Sequence, residues 1–160
     1  MAEKALLLSI RPEYAKMIFE GRKRVELRRV RPSVKCGDLV LVYVSSPVKA
    51  LVGFCEVIRV LEGLPSELWI QVRDTVGITR REFDVYYSGK AVGFGIVFRK
   101  TWTLPRPIKL PLLRRIWSHF HPPQGYQYLR ISRVKRVRVL HGWGGKLVDR
   151  AGHLDVALQD

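Results

Sequence analysis

Cysteine is scarce in this 160-residue chain: there are two, Cys36 and Cys55, with no Cys-x-x-Cys and no paired framework. That excludes a disulfide scaffold and a cysteine zinc ribbon. Each thiol stands in or beside an apolar stretch, so both are expected free and buried. Long apolar runs are also absent. "ALLLSI" stops at Arg11 and Pro12, too soon for a secretory h-region or a membrane span. The expectation is a soluble, intracellular, cytoplasmic protein with no membrane partner. Gly-x-x-x-x-Gly-Lys-Ser/Thr does not occur, since "GWGGK" ending at Lys146 is no equivalent, and no nucleophile elbow is present. His119-x-His121 is the nearest approach to a metal-ligand pair, but no cysteine or carboxylate accompanies it, so no metal or cofactor is expected. Internal repeats, Rossmann-type alternation and a helix-turn-helix pattern are missing too.

Acidic residues are few, 14 against 29 Lys and Arg, which leaves a net charge of +15 and a pI near 10.4. Such an excess favours polyanions, with nucleic acid the usual partner. Arginine outnumbers lysine by 19 to 10. The guanidinium is the better planar, bidentate ligand for phosphates and base edges. Hydrophobic residues make up an ordinary 47%, enough to build one core without staples.

"KALLLSI" (Lys4–Ile10) fits a buried strand. Pro12 then opens a short helix carrying Tyr14, Met17 and Ile18, closed by Gly21. "RVELRR" alternates, and "CGDLVLVYVSS" and "ALVGFCEVIRVLEG" read as two β-branched strands separated at Pro47. Two short helices follow in "LPSELWIQVRDTVG" and "ITRREFDVYYSG". The second has Thr79 as N-cap and Glu82 completing a capping box, with Gly89 closing it. "KAVGFGIVFRKTWTL" returns to strand, where Gly93 and Gly95 suggest a bulge or a tight corner. A helix over Leu112–His119, a loop through Pro122 and Pro123, and a strand in "SRVKRVRVL" complete the reading. The tail 141–160 is glycine-rich and expected to be accessory to a domain over 1–140. The fold class is α+β, a small mixed β-barrel with short peripheral helices.

Glu26 stands alone within the densest positive charge, "GRKRVELRR". In a strand, Arg24, Glu26 and Arg28 share one face, and Val25 and Leu27 face the core. A carboxylate between two guanidiniums would hold both in fixed orientation, which suits reading a base or clamping a phosphate. The alternative is an exposed ladder of alternating charges with little energetic weight.

Ser9-Ile-Arg-Pro-x-Tyr14, followed by Ile18-x-x-Gly21-x-Lys23-x-x-Glu26-x-Arg28, resembles the signature of the ASCH domain family. That family is part of the group of RNA-binding barrels similar to the pseudouridine synthase and archaeosine transglycosylase (PUA) domain. "KCGDLVLVYVSSP" resembles the family's second and third barrel strands, "GITRREFDVYYSGKAVGFGIVF" its helix and next strand, and "PPQGYQYL" a late segment of its archaeal members. The resemblance spans Leu6 to Leu140. It implies a PUA-like barrel with a cleft beside the first helix, lined by Lys23, Glu26 and Arg28, and a role in binding RNA. Ser9 and Arg11 fall within the same motif. Some members resemble amidohydrolases acting on N4-acetylcytidine, and others cut RNA. In the amidohydrolases the cleft holds a lysine, a threonine three residues later and a glutamate before the second helix. Lys23 matches the lysine, Glu26 occupies the threonine position, and Asp74 is the acid nearest the expected glutamate, which falls by Val76.

The expected function is therefore RNA binding, to a single-stranded or structured segment, with Glu26 orienting Arg24 and Arg28 or accepting from a base amino group, and with Lys23 and Arg11 toward phosphate or a polar base edge. The competing readings are an amidohydrolase or ribonuclease using Lys23 and Glu26 as catalytic groups, and a regulator bound to DNA. A second basic cluster, Arg114 and Arg115 with Arg133, Lys135, Arg136 and Arg138, is expected to extend one positive surface with Arg28, Arg29 and Arg31. Tyr126, Tyr128 and Trp117 interleave with it and are candidates for stacking on unpaired bases, Trp117 and Tyr128 also fitting the core.

Overall fold

Leu6, Leu7 and Leu8 are all fully buried, which a strand achieves only when both of its faces are covered. A computed structural model describing residues 4–141 shows how. Strand β1 (Lys4–Ile10) lies inside the sheet, parallel to β3 (Leu39–Val44) and antiparallel to β6 (Tyr126–Arg130). The remaining strands are β2 (Val25–Arg28), β4 (Ala50–Gly63) and β5 (Gly93–Lys109), giving one six-stranded sheet in the order β2-β5-β4-β3-β1-β6. Five helices surround it: α1 (Pro12–Phe19), α2 (Pro65–Val72), α3 (Arg80–Tyr86), α4 (Leu110–Ile116) and α5 (Ile131–His141). The class is α+β as expected, but the barrel is not closed. β2 and β6 are both edges with no backbone pairing between them, so the sheet is a curled half-barrel.

The alternation of β1 sorts two cores. Ala5 and Leu7 pack with Leu113, Ile116 and Trp117 around α4, and with Val134 and Val137 of α5. Leu6, Leu8 and Ile10 pack on the other face, with Ala15 and Ile18 of α1. A third cluster joins Val25 and Leu27 of β2 to Leu68 and Val72 of α2, Phe83 of α3 and Tyr87 just after it. Both β2 residues are core, as their alternation indicated.

Most local signals act as read. Gly21 (φ +78°) follows the end of α1 in the left-handed region. Thr79 and Glu82 form the reciprocal box at the start of α3, Thr79 N donating to Glu82 Oε2 at 2.7 Å and Glu82 N to Thr79 Oγ1 at 3.2 Å. Gly93 and Gly95 mark no bulge; the register shifts of the β4–β5 pair fall elsewhere, from Leu51 to Arg59. The two glycines instead permit close packing, since a methyl at Gly93 would stand 2.7 Å from the Tyr87 ring and one at Gly95 2.9 Å from Val25.

The C-terminal part departs from expectation. "SRVKRVRVL" is not a strand: it lies in α5, where Val134 and Val137 are buried at helical spacing and Arg133, Lys135 and Arg136 face outward. The strand is instead the preceding "YQYLR", which pairs with β1 although Pro122, Pro123 and Gly125 mark its approach as loop. Helix α4 ends at Ile116, short of the expected His119, whose φ of +60° cannot continue a helix. Cys55 is buried, but Cys36 is exposed. The tail expected over 141–160 lies outside the described residues except for His141. No described helix is long and apolar enough to cross a membrane.

Candidate nucleic-acid interface

The curl brings the two unpaired edges together. At the end of β2 the Arg28 guanidinium lies 5.5 Å from the centre of the Tyr126 ring, at the start of β6. Ser9 N donates to Gly125 O at 2.9 Å, and Ser33 N donates to the Tyr128 hydroxyl at 2.7 Å. Between these edges, beside the first turn of α1, opens a cavity of about 310 Å³. That is at the small end of the ~300–1,000 Å³ range of ligand clefts. It is lined by Ser9, Ile10, Arg11 and Tyr14 from one side, Lys23, Glu26, Leu27 and Arg28 from another, and Ile78, Glu82, Tyr86, Gln124 and Gly125 across the mouth.

Glu26 is the hub. Its two oxygens are divided between two cations, Lys23 Nζ at 3.4 Å from Oε2 and Arg28 Nη2 at 3.1 Å from Oε1. Glu26 side-chain exposure is only 16% and Arg28 13%, so this is no solvated surface ladder. Lys23 is more deeply held. An ammonium out of water must have its donors met, and Lys23 Nζ also donates to Val25 O and Val76 O, both at 2.8 Å, tying the α1–β2 turn to the segment before α3. Its ring neighbour is Tyr14, 5.6 Å away. The lysine is thus held by two hydrogen bonds to backbone carbonyls and one ion pair.

The expected partner Arg24 is not part of this arrangement. It precedes β2, is exposed, and its Nε donates back to Gly21 O at 3.3 Å. Lys23 takes the place assigned to it. Arg29 is exposed and outside the lining, and Arg31 pairs with Glu62. Asp74, the acid nearest the expected glutamate, is exposed beside Arg73 and also outside the lining. Arg114 and Arg115 sit on α4 and Arg136 and Arg138 on α5, helices packed on the sheet face opposite α1, and none of the four lines the cleft with Arg28. Trp117 is core, its Nε1 donating to Arg133 O at 3.0 Å, whereas Tyr128 remains partly exposed. His119 and His121 gather no further ligands: among the described residues no three His, Cys, Asp or Glu cluster.

Four polar lining residues are absent from the site expected from sequence: Tyr14, Glu82, Tyr86 and Gln124. Tyr14 reads there as a helix position and a member of the family motif, and Glu82 as a cap. Tyr86 and Gln124 carried no signal of their own. The capping box explains Glu82: its Oε2 accepts from the Thr79 backbone and hydroxyl, which holds its carboxyl below the usual glutamate range. Burial, with Glu82 adding to it, pushes the Tyr14 hydroxyl up, and burial does the same to Tyr86 although Arg28 opposes it. Tyr86 donates to Leu27 O at 3.1 Å. Two polar atoms are left without a hydrogen bond to any described residue although both are buried: Ser9 Oγ and Arg28 Nε.

Fold and cleft together define a small α+β domain with a polar seam along the open side of a half-barrel. The ASCH domain model matches residues 8–106, and the chain belongs to the ASCH domain family. An ASCH domain-containing ribonuclease of Zymomonas mobilis is 28% identical over 134 residues, 84% of this chain and 90% of that protein. The crystal structure of ASCH from Zymomonas mobilis superposes with a TM-score of 0.81, covering 87% of this chain and 96% of that one. The large ribosomal subunit protein uL22 of Ureaplasma parvum is 30% identical over 78% of this chain but only 39% of its own length. The N-terminal domain of Staphylothermus marinus McrB shares the fold at 14% identity, with a TM-score of 0.53.

Proposed function

We propose that this protein binds RNA by accepting one unpaired nucleotide into the β2–β6 cleft. The observation that carries the reading is a pair of buried, unpartnered atoms, Ser9 Oγ and Arg28 Nε, in two residues that line one cavity. Buried polar groups in folded proteins are almost always satisfied, so a donor and a hydroxyl left without partners are suited to a ligand's polar edge. Glu26 fixes the guanidinium of Arg28 in place before any ligand arrives, and its position suits accepting from a base amino group as well. Tyr14, Tyr86 and Tyr126 offer rings beside these donors, and Arg11, an exposed residue of the lining, is available for a flanking phosphate.

Ser9→Ala separates this from an idle cavity. It removes an unsatisfied hydroxyl, so thermal stability is expected to hold or rise, while affinity for a short single-stranded RNA falls about five-fold or more. A variant that keeps full affinity contradicts the reading. Competition by duplex DNA in the same titration tests the DNA alternative.

A second reading, RNA cleavage, is favoured by the relative named a ribonuclease. In it Glu26 would take the proton of a ribose 2′-hydroxyl, whose oxygen attacks the adjacent phosphorus. Arg28 would face the developing charge, and the 5′-oxygen would leave with a proton from solvent, giving a 2′,3′-cyclic phosphate end. Lys23 then positions Glu26; with two carbonyls and a carboxylate on its ammonium it is arranged poorly for attack as an amine. Labelled RNA incubated with the protein and with Glu26→Gln decides the point: cyclic-phosphate products absent from the variant support cleavage, and intact RNA leaves binding alone.

A further inference from the structure

The net charge is very unevenly placed. Residues 1–84 hold 15 Lys and Arg and 11 acidic residues, a net of +4, whereas residues 85–148 hold 13 Lys and Arg and no acid at all. That acid-free stretch supplies β5, α4, β6 and α5. Within it Arg114, Arg115, Arg130, Arg133, Lys135 and Arg136 are exposed, and none forms an ion pair with a described residue. They are not scattered. Val134 and Val137 anchor α5 in the same core as Leu113 and Ile116 of α4, and the Trp117–Arg133 hydrogen bond joins the end of one helix to the start of the other. Arg133 and Arg136, three apart, share one side of α5.

We propose that this α4–α5 face is a second contact, which holds the sugar-phosphate backbone of a double-helical RNA segment. It rests on the reading that the protein binds RNA, and adds that the partner is structured: a stem on the helices, an unpaired nucleotide in the cleft on the other side of the sheet. The chemistry differs between the two places. The cleft combines two carboxylates, three cations and tyrosines. The two helices carry five exposed cations, four of them arginine, with Arg130 added at the end of β6 and with the neighbouring aromatics Trp117 and Phe120 buried. Guanidiniums in an array match phosphate oxygens bidentately, and A-form RNA is recognised through its backbone and shape rather than through base edges. A membrane surface is disfavoured because a helix that enters the interface needs an apolar face, and among the residues of α4 and α5 whose side chains are described no large hydrophobic one is exposed.

The test uses the full chain with three probes: a stem–loop RNA, its loop alone as a short single strand, and vesicles containing phosphatidylserine. Arg133→Glu with Arg136→Glu is expected to weaken stem–loop binding ten-fold or more and make its log–log salt slope shallower by about two. Loop binding should change far less. Arg114→Gln with Arg115→Gln, on the other helix, should act in the same direction, which guards against a fold defect in α5. Stem–loop affinity equal to wild type in both variants overturns the proposal. So does a loss confined to vesicles containing phosphatidylserine. Arg28→Ala addresses the cleft separately: undiminished loop binding there would defeat the cleft reading while leaving the helix-face result to stand or fall alone.

Discussion

Glu26 shows what one residue contributes when its neighbours are fixed. Its carboxylate is shared between a buried ammonium and a half-buried guanidinium, so removing it leaves Lys23 with two carbonyls and no counter-charge. Breaking a buried pair from one side is costly, and with some solvent access the expected loss for Glu26→Ala is about 1–3 kcal/mol in urea unfolding. A loss below a few tenths would mean that the pair is the exposed ladder after all. The cysteines give a second residue-scale expectation. Burial pushes the Cys55 thiol far above the usual range, while Cys36 is exposed. A thiol reagent should therefore modify one equivalent in the folded protein and two after unfolding. The sequence placed both thiols in the core because both adjoin apolar residues. Cys36, however, lies in the loop before β3, where that adjacency carries no burial.

Elements were legible where local chemistry decides them. The Pro12 start and Gly21 end of α1, the Thr79–Glu82 box of α3 and the alternation of Val25 and Leu27 are all local, and all appear as read. What was not legible depended on tertiary partners. Tyr126–Arg130 becomes a strand because β1 offers a free edge, and "SRVKRVRVL" becomes a helix because Val134 and Val137 must reach a core shared with α4. The α3 box is open to test through pH. The folded Glu82 carboxyl titrates lower than in the unfolded chain, so its stabilisation is complete above the unfolded value near 4.5 and vanishes as pH falls through the folded value. The stability gap between wild type and Glu82→Gln should shrink as pH drops below about 4.5; a gap that is constant down to pH 3 would contradict it. The β4–β5 pair holds a steric test. A methyl at Gly53 would collide with the Trp102 carbonyl oxygen and stand 2.8 Å from the Phe19 ring. Gly53→Ala should destabilise by about 1–3 kcal/mol, read from the denaturant midpoint.

At the scale of the whole molecule, the open seam is the defining feature. A closed barrel would have paired β2 with β6 and left no room between Arg28 and Tyr126. Leaving the edges apart, and bridging them with side chains, makes a cleft whose walls come from distant parts of the chain, Ser9, Glu26, Glu82 and Gln124 among them. The resemblance pointed to Lys23, Glu26 and Arg28 because they share one short motif. Residues contributed by α3 and by the loop before β6 have no common spacing to reveal them. Arg114, Arg115, Arg133 and Arg136 ride on helices packed over the sheet face opposite α1, a placement that a linear count of arginines does not carry. A cocrystal with a short single-stranded RNA tests the central claim most directly. The account predicts an unstacked nucleotide in the seam with polar atoms within hydrogen-bond distance of Ser9 Oγ and Arg28 Nε; RNA seated elsewhere, with those two atoms still unpartnered, would contradict it.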